Sequence, residues 1–267
     1  MDGYGYNKDL PAEMQAPMDN VMIYHGNPAK DNAEEADGRG IWQTLRPGHG
    51  VGFSSDGERN QYSKRFGLEL SFARQLQAQY PGESFAFIKY SKGGTSIDSL
   101  AAKQFGCWEP DFRGKTGINQ WDHFLATMRS ALAVQDIDGD GEVDELIPYG
   151  ILWMQGESDA TISEDVANQY ESHLKRLMDL IRATMHADDL PVVIGKISES
   201  GRHKSREKVW VHGEIVMAAQ EAYVLKEPFA AIVRSTKNYA YSDPWHYDSP
   251  AYIDLGEQFA KALFSID

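Results

Sequence analysis

The sequence predicts an α/β fold in which a parallel sheet is covered by helices on both faces. Short apolar runs alternate with stretches of helical periodicity along most of the chain, and this alternation is typical of βαβ units. The chain has 267 residues, of which 42% are hydrophobic, so one domain can bury a sizeable core. It contains one cysteine, Cys107, which excludes an internal disulfide and a multi-cysteine zinc site.

The predicted strands and helices alternate from residue 21 onward. Residues 1–60 are rich in glycine, aspartate, asparagine and proline and are predicted to be irregular apart from a strand over Val21–Tyr24. Between Leu68 and Tyr80 apolar residues recur at every fourth position, which predicts a helix that Pro81 terminates. Further strands are predicted over Phe85–Tyr90, Leu146–Met154, Pro191–Ile197 and Phe229–Val233. Further helices are predicted over Trp121–Val134, 163–185, Lys208–Leu225 and Pro250–Phe264. In such folds the chemistry lies at the carboxyl ends of the strands, so the loops that follow them are the candidate site.

The chain is acidic, with 26 Lys and Arg against 40 Asp and Glu and a formal net charge of −14. Such a chain repels phosphate backbones and anionic lipids, so we expect neither nucleic acid nor a membrane as a partner. No apolar run approaches the roughly 18 residues that cross a bilayer. The first residues, Met1–Tyr6, lack the basic and hydrophobic segments of a secretory signal. Either the protein is cytoplasmic or its native start lies upstream.

The predicted strand that ends at Tyr90 leads into Ser91-Lys-Gly-Gly-Thr-Ser96, here called the glycine turn. Gly93 and Gly94 allow backbone N–H groups to approach a substrate closely, as an oxyanion hole requires. The alternative is a tight strand-to-helix turn without a catalytic role. The turn alone does not separate these interpretations.

The next predicted strand leads into Gln155-Gly-Glu-Ser-Asp159, here called the glutamine loop. Gln155 is suited to donate to a developing oxyanion, whereas Glu157 and Asp159 are suited to orient other side chains. The alternative is capping of the following helix. Capping explains Ser158 or Asp159 well and Gln155 less directly.

A third polar group, Asp243-Pro-Trp-His246, precedes the last predicted helix. A carboxylate three residues before a histidine can accept a hydrogen bond from the imidazole Nδ1. That bond fixes the tautomer and leaves Nε2 free as a base. The alternative is an exposed aspartate beside a surface histidine, and spacing alone leaves both interpretations open.

Together these segments resemble a known family. Lys-Gly-Gly-Thr95, Trp153-Met-Gln-Gly-Glu-Ser-Asp159 and Asp243-x-x-His246, in this order, are similar to the motifs of the sialate O-acetylesterase and acetylxylan esterase group. This group is carbohydrate esterase family 6 of the SGNH hydrolase superfamily, and Arg65-Phe-Gly-Leu-Glu69 also fits its pattern. The resemblance implies one SGNH-hydrolase-like esterase domain over residues 1–267. Its fold would be a three-layer α/β/α sandwich with a central parallel sheet of the SGNH/flavodoxin-like kind.

The resemblance also implies an activity and the residues that carry it. The expected reaction is hydrolysis of acetyl esters on xylan-type or sialic-acid-type carbohydrates by a Ser-His-Asp mechanism, with no cofactor for catalysis. His246 matches the catalytic base and Asp243 its orienting carboxylate. Gly94 matches the backbone donor of the oxyanion hole, with Gly93 as an alternative. Gln155 matches the side-chain donor.

Other positions are expected to support the base or contact the acetylated carbohydrate. Glu157 matches a motif position that supports the base or shapes the site. Gly93 and Thr95 are expected to line the substrate site. Trp245 stands beside His246 in the sequence and is suited to stack on a sugar ring.

The sequence departs from the family at its start. Family members carry the nucleophile in Gly-Gln-Ser-Asn-Met after the first, central strand, and Met1-Asp-Gly-Tyr-Gly5 is similar to the continuation of that motif from its methionine. We therefore expect an N-terminally truncated chain, with the serine two residues before Met1 and the first strand also missing. Ser91 and Ser96 belong to the oxyanion side, and the serines at 54–55 lie in a loop, so all four are poor substitutes. The chain as given is expected to be inactive or nearly so.

The segment Asp136-Ile-Asp-Gly-Asp-Gly-Glu-Val-Asp144 carries a second, independent motif. Acidic residues at alternate positions, with a glycine for a sharp turn, are typical of calcium loops. The twelfth position, a bidentate glutamate in an EF-hand, is Ile147, so the segment resembles the shorter calcium loops of secreted proteins. The candidate ligands are Asp136, Asp138, Asp140, Glu142 and Asp144. We expect a structural Ca²⁺, which would suit a secreted or periplasmic protein; the alternative is a solvated acidic turn.

Two alternatives to the acetylesterase stay open at this stage. One is a non-catalytic carbohydrate-binding relative that lacks the nucleophile and keeps the cleft. The sequence upstream of Met1 would distinguish it. The other is a lipase or thioesterase of the same superfamily, and the glutamine loop weighs against it.

Overall fold

Helices and short strands alternate along the chain. The structure, a computed structural model, describes residues 2–114 and 117–266, and Met1, where the motif continuation is predicted to begin, lies outside them. The strands are β1 Gly5–Tyr6, β2 Val21–His25, β3 Trp42–Thr44, β4 Ser54–Ser55, β5 Asn60–Gln61, β6 Arg65–Phe66, β7 Phe85–Lys89, β8 Ile151–Trp153, β9 Val192–Gly195 and β10 Ala230–Val233. The helices are α1 Glu69–Gln79, α2 Gln120–Leu132, α3 Asp159–Ile162, α4 Glu164–Thr184, α5 Gly213–Lys226 and α6 Ser249–Leu263. None of these helices is both long and apolar enough to cross a membrane.

Most elements form where periodicity and capping predict them. In α4, Tyr170, Leu174 and other apolar residues at helical spacing are buried on one face. Ser163 caps this helix because its hydroxyl accepts the backbone N–H of Val166 at 3.3 Å. Local sequence signals therefore account for the helix that supports the glutamine loop.

Several predicted elements are shorter than expected, and the strand predicted over Pro191–Ile197 covers only Val192–Gly195. The strand predicted over Leu146–Met154 begins only at Ile151, after Pro148, which has no N–H to offer a sheet ladder. The helix predicted from Lys208 begins at Gly213. The preceding residues are held as a turn, in which the Glu199 carboxylate accepts the backbone N–H groups of Val209 and Trp210 at 2.8 and 2.9 Å.

Two three-stranded sheets carry the main strands. One has the order β10-β9-β8 and is parallel throughout, with Ile151 and Ala230 both opposite Val192. The other has the order β3-β2-β7, in which β2 is parallel to β7 and antiparallel to β3. The pairs β1–β6 and β4–β5 form small antiparallel ribbons. The fold is thus mixed α/β as predicted, but the described strands form small, partly mixed sheets and not the single central parallel sheet that was expected.

The core joins both sheets to helices α1 and α6. One cluster of buried residues draws on both helices and on strands of both sheets: Leu70, Phe72, Leu255, Phe259, Ile23 and Val193 are members. The neighbours of Val193 in β9, Val192 and Ile194, belong to a different cluster that includes α4 and α5. Alternate side chains of a strand point to opposite faces, so β9 packs against helices on both.

Strands β7 and β8 are each the edge of a sheet within the described residues. Side chains on both edges, such as Phe87 and Leu152, are only partly buried, whereas Ile23 and Val193 on the neighbouring inner strands are fully buried. Phe87 and Leu152 pack against the same core cluster, so the two edges lie under the same helices. Unpaired strand edges with apolar side chains are suited to pair with a further strand.

Candidate active site

His246 and Asp243 form a hydrogen-bonded pair in the loop before α6. The Asp243 carboxylate lies 2.7 and 2.9 Å from Nδ1 of His246. It also accepts the backbone N–H groups of Trp245 and His246, each at 2.8 Å. A carboxylate acceptor at Nδ1 implies that this nitrogen carries the proton and that Nε2 carries a lone pair. The pair therefore has the arrangement of an oriented general base.

The environment keeps Asp243 ionised. Burial opposes its charge, but hydrogen bonds from the His246 imidazole and the Trp245 backbone outweigh that effect, so the pKa of Asp243 lies below its usual value. The loop is closed by a hydrogen bond of 2.9 Å from the Ser242 backbone N–H to the His246 carbonyl. The imidazole is thus held by a charged acceptor on a short, closed loop.

The N-terminal segment lies directly against this pair. The ring of Tyr4 stacks on His246, with ring centroids 3.4 Å apart and an angle of 14° between the planes. The Arg65 guanidinium donates to the Tyr4 carbonyl and lies 3.5 Å from the centroid of the Tyr6 ring. The pairing of β1 with β6 fixes the backbone of the same segment. Residues from opposite ends of the chain therefore form one site.

Asp2 brings the same segment to the glycine turn. A Cβ atom added at Gly93 would lie 3.5 Å from Oδ2 of Asp2, so the carboxylate lies beside that backbone. Burial raises the pKa of Asp2, while the charges of Lys89 and Lys92 act in the opposite direction. Asp2 therefore lies beside the glycine turn, and Tyr4 of the same segment lies on His246.

The glycine turn requires glycine at Gly94. Its φ is +78°, and an added Cβ atom would lie 2.5 Å from the ring of Phe105. Thr95 is buried, and its hydroxyl accepts from Nε1 of Trp108 at 3.1 Å and donates to the Lys92 carbonyl at 3.2 Å. The predicted substrate contact of Thr95 stays a prediction, and its hydroxyl is already engaged.

The glutamine loop contacts the glycine turn directly. Nε2 of Gln155 donates to the Thr95 carbonyl at 3.0 Å and to the Asp159 carboxylate at 2.7 Å. The Gln155 side-chain oxygen accepts from the Tyr170 hydroxyl at 3.1 Å. Both amide hydrogens thus have acceptors within the chain, and Gln155 has no free hydrogen for an oxyanion in this arrangement. Its predicted oxyanion role stays a prediction.

Glu157 interacts electrostatically with the base through its carboxyl. It is partly buried, and burial raises the pKa of its carboxyl, while the nearby His246 acts in the opposite direction. Its charge also raises the pKa values of the Tyr241 and Tyr247 hydroxyls, after their own burial. Glu157 is therefore within electrostatic reach of His246, and its predicted role stays a prediction.

Trp245 offers the largest exposed apolar side chain beside the base. It is 53% exposed, and its ring centroid lies 6.4 Å from that of His246 at an angle of 63°. An exposed indole next to a polar site can stack on the apolar face of a sugar ring. The predicted contact of Trp245 with a sugar stays a prediction.

A buried polar cluster supports the carboxyl ends of β2 and β7. Nδ1 of His25 lies 3.2 Å from Nδ1 of His49, and burial lowers the pKa of His49 to about 3. Lys89 donates to the His49 carbonyl at 2.6 Å and to Glu69 at 3.0 Å. Both imidazoles are therefore neutral, and the Lys89–Glu69 pair ties β7 to the start of α1.

The acidic segment 136–144 lies on a separate, exposed loop. Carboxylate oxygens of Asp136, Asp138 and Asp144 come within 4.8 Å of one another. Asp136 also accepts the backbone N–H groups of Gly139 and Gly141 at 2.7 and 3.0 Å. The predicted ligands at positions 140 and 142 are not part of this group of three among the described residues.

Sequence reasoning missed the contributions of Asp2, Tyr4 and Arg65. The signal for Asp2 and Tyr4 was present, because residues 1–5 follow the point at which the family motif is expected to carry its nucleophile. Arg65 begins the Arg65-Phe-Gly-Leu-Glu69 segment that fits the family pattern, but no role was predicted for it. The pairing of Tyr4 with His246 is a contact between chain ends, and no local pattern encodes it.

Comparison with solved structures shows the same fold in three proteins. A protein from Arabidopsis thaliana superposes with a TM-score of 0.64 at 18% identity, over 96% of this chain and 85% of that one. A carbohydrate acetylesterase from Xanthomonas citri gives 0.59 at 16% identity, over 99% of this chain and 55% of that one. NanS gives 0.59 at 16% identity, over 98% and 92%. A search of curated proteins finds no match.

A comparison with family models completes the assignment. Residues 1–265 match the model described as carbohydrate esterase, sialic acid-specific acetylesterase. The match covers the glycine turn, the glutamine loop and the His246–Asp243 pair. The chain therefore belongs to this family of carbohydrate esterases.

Proposed function

We propose that this chain carries the base and the oxyanion hole of a carbohydrate O-acetylesterase with a Ser-His-Asp mechanism. The serine would come from a segment that precedes Asp2. The observation that carries the proposal is the stacking of Tyr4 on the Asp243-bound imidazole of His246, at 3.4 Å between ring centroids. It means that the N-terminal segment from Asp2 onward lies against the base.

The chemistry follows from the position of each group. Nε2 of His246 takes the proton of the serine hydroxyl as its oxygen attacks the acetyl carbonyl. The oxyanion would be stabilised by backbone N–H groups of Gly93 and Gly94. The bond from the carbonyl carbon to the sugar oxygen then breaks, and the imidazolium returns the proton to that oxygen. Water, activated by the same imidazole, hydrolyses the acetyl-serine and releases acetate.

The serines in the glycine turn do not fit the role of nucleophile. Ser91 is 2% exposed, and Ser96 is fully buried with its hydroxyl donating to the Asp98 carbonyl at 2.8 Å. A hydroxyl in either position would lie on the oxyanion side and away from solvent. This supports a nucleophile that comes from another segment.

The segment that would carry the serine could pair with the two edge strands β7 and β8. β7 and β8 each lack a partner on one side within residues 2–114 and 117–266, and both lie under the same helices. A strand inserted between them would join the two sheets into the central parallel sheet that the sequence predicts. Its carboxyl end would emerge beside the glycine turn, and the chain would then continue into Asp2.

The substrate we propose is an acetylated sugar unit of xylan or sialic-acid type. The exposed Trp245 beside His246 gives a stacking surface for the sugar. A non-catalytic carbohydrate-binding relative is the alternative, and it predicts binding without turnover.

We also propose a structural Ca²⁺ in the acidic segment. Asp136, Asp138 and Asp144 would supply carboxylate oxygens, the ligands that Ca²⁺ prefers. Bound there, the ion would offset repulsion among the carboxylates and order the connection between α2 and β8. A loop of this kind would suit a secreted or periplasmic setting.

Covalent labelling tests the proposed nucleophile. The chain would be extended by a strand-forming segment that ends in Gly-Gln-Ser-Asn before Met1, and treated with a fluorophosphonate. We expect labelling of that serine in the extended chain and none with alanine in its place. His246→Ala should abolish labelling, whereas the same change at exposed His186 should not. Labelling that is indifferent to His246 would refute the mechanism.

A further inference from the structure

We propose that Asp159 and Gln155 are positioning residues that hold the glycine turn in the shape in which its backbone N–H groups face the acetyl carbonyl. This inference rests on the proposed esterase function. It assigns Asp159 a role and gives Gln155 one that does not require contact with substrate.

Four hydrogen bonds join the glutamine loop to the glycine turn and the residues after it. The Ser158 hydroxyl donates to the Gly94 carbonyl at 2.9 Å, and Gln155 donates to the Thr95 carbonyl at 3.0 Å. The backbone N–H groups of residues 97 and 98 donate to the Asp159 carboxylate at 3.1 and 2.9 Å. The glutamine loop thus binds two carbonyls within the glycine turn and two N–H groups directly after it.

Asp159 is the centre of this connection. It is 1% exposed, and its carboxylate accepts from Ile97, Asp98 and the Gln155 amide. A buried carboxylate with three donors is costly to disturb, because each donor would lose its acceptor. Helix capping alone does not explain this set, because the donors at Ile97 and Asp98 belong to a different loop.

Gln155 is fixed from both sides. Its backbone carbonyl accepts from the Tyr170 hydroxyl at 2.6 Å and from Nε2 of Gln220 at 3.0 Å. Its amide nitrogen donates one hydrogen to the Thr95 carbonyl and the other to the Asp159 carboxylate. The bond from Gln155 to the Thr95 carbonyl therefore couples the position of Gln155 to the backbone directly after Gly94.

Hydrogen exchange on the chain as it is tests the first half of the proposal. In Asp159→Ala, the amides of Ile97 and Asp98 should exchange at least about tenfold faster, because their acceptor is gone. Amides in the core of α4 should keep their rates, which shows that the chain still folds. Asp159→Asn should spare Ile97 and Asp98, because one oxygen remains. Unchanged exchange in Asp159→Ala would overturn the proposal.

Kinetics on the serine-containing extended chain test the second half. Asp159→Asn places an amide opposite the Gln155 amide, so that link breaks. Both Asp159→Asn and Gln155→Ala should lower kcat on the order of 100-fold, with KM changed less than about threefold. The double variant should be no worse than either single one, since both break one connection.

The controls separate this role from its rivals. Asp165→Asn, the same change at an exposed residue in the first turn of α4, should leave kcat unchanged. A loss of kcat in Gln155→Ala with normal kcat in Asp159→Asn would show that Gln155 donates to the oxyanion directly, and would overturn the proposal. If the extended chain has no esterase activity, the proposed function fails, and the exchange result alone decides this inference.

Discussion

The ring of Tyr4 lies almost parallel to the imidazole of His246, with 3.4 Å between ring centroids. The contact brings the start of the chain to the base near its end, and the carbonyl of Tyr4 is held by Arg65. It limits rotation of the imidazole and holds the segment from Asp2 onward against the base. The base and the predicted entry point of the nucleophile are therefore one structural unit.

Removal of this ring should weaken catalysis more than folding. In the extended chain, Tyr4→Ala should lower kcat about tenfold, in line with an aromatic contact worth roughly 0.5–1.5 kcal/mol. Tyr4→Phe keeps the ring and should retain full activity. A steady-state assay of acetate release measures both variants. Equal losses in the two would contradict the stacking role, because only the hydroxyl differs between Phe and Tyr.

Asp243→Asn should impair the base without removing it. An amide at this position can donate to Nδ1 and so favours the wrong tautomer of His246. A loss of kcat on the order of 10³–10⁴-fold is expected in the extended chain. Asp248→Asn, at the N-cap of α6 in the same loop region, should leave kcat nearly unchanged, because asparagine caps a helix about as well as aspartate. Activity that survives Asp243→Asn would show that another group orients the imidazole.

The pH dependence of stability should report the buried carboxyl of Asp159. Burial raises the pKa of Asp159 from its ordinary value to about 6, so the folded chain binds this proton more tightly than the unfolded chain. Its contribution to the free energy of unfolding is therefore greatest below the unfolded pKa and falls as the pH rises through about 6. As the pH rises from below the unfolded pKa to above the folded one, the free energy of unfolding of the native chain should fall by about 3 kcal/mol relative to that of Asp159→Asn. Urea unfolding at several pH values measures this difference, and parallel pH profiles would contradict the shift.

Calcium should stabilise the chain through the acidic segment. About 1 mM Ca²⁺ should raise Tm by a few degrees, because a ligand that binds only the folded state shifts unfolding. Asp136→Ala combined with Asp138→Ala should abolish the shift. Ala in place of the exposed Asp188 should leave it intact. Equal Tm values with Ca²⁺ and with a chelator would rule out a structural ion.

Local interactions were predictable from the sequence, and contacts between distant segments were not. The His246–Asp243 pair is three residues apart, and α4 follows its apolar period, so both could be recognised. The strand predicted over Leu146–Met154 was too long, because apolar content does not reveal that pairing with β9 begins only where Ile151 lies opposite Val192. The engagement of Gln155 by Thr95 and Asp159 depends on how two loops meet, which no spacing along the chain determines.

The division into two sheets was not predicted, because it also depends on contacts between distant segments. Each predicted strand has an apolar sequence that suits a central sheet, and the prediction assumed that all would pair. Pairing depends on neighbours, and β7 and β8 have an unpartnered side within the described part of the chain. Phe87 in β7 and Leu152 in β8 are therefore only partly buried.

Release of acetate from an acetylated sugar tests the central claim most directly. Three proteins would be compared, namely the chain as given, the chain extended by a strand that ends in Gly-Gln-Ser-Asn, and the same extension with alanine for that serine. We predict turnover in the serine form alone, lost again in His246→Ala. Turnover of comparable rate in the chain as given, or in the alanine form, would contradict a nucleophile that precedes Asp2.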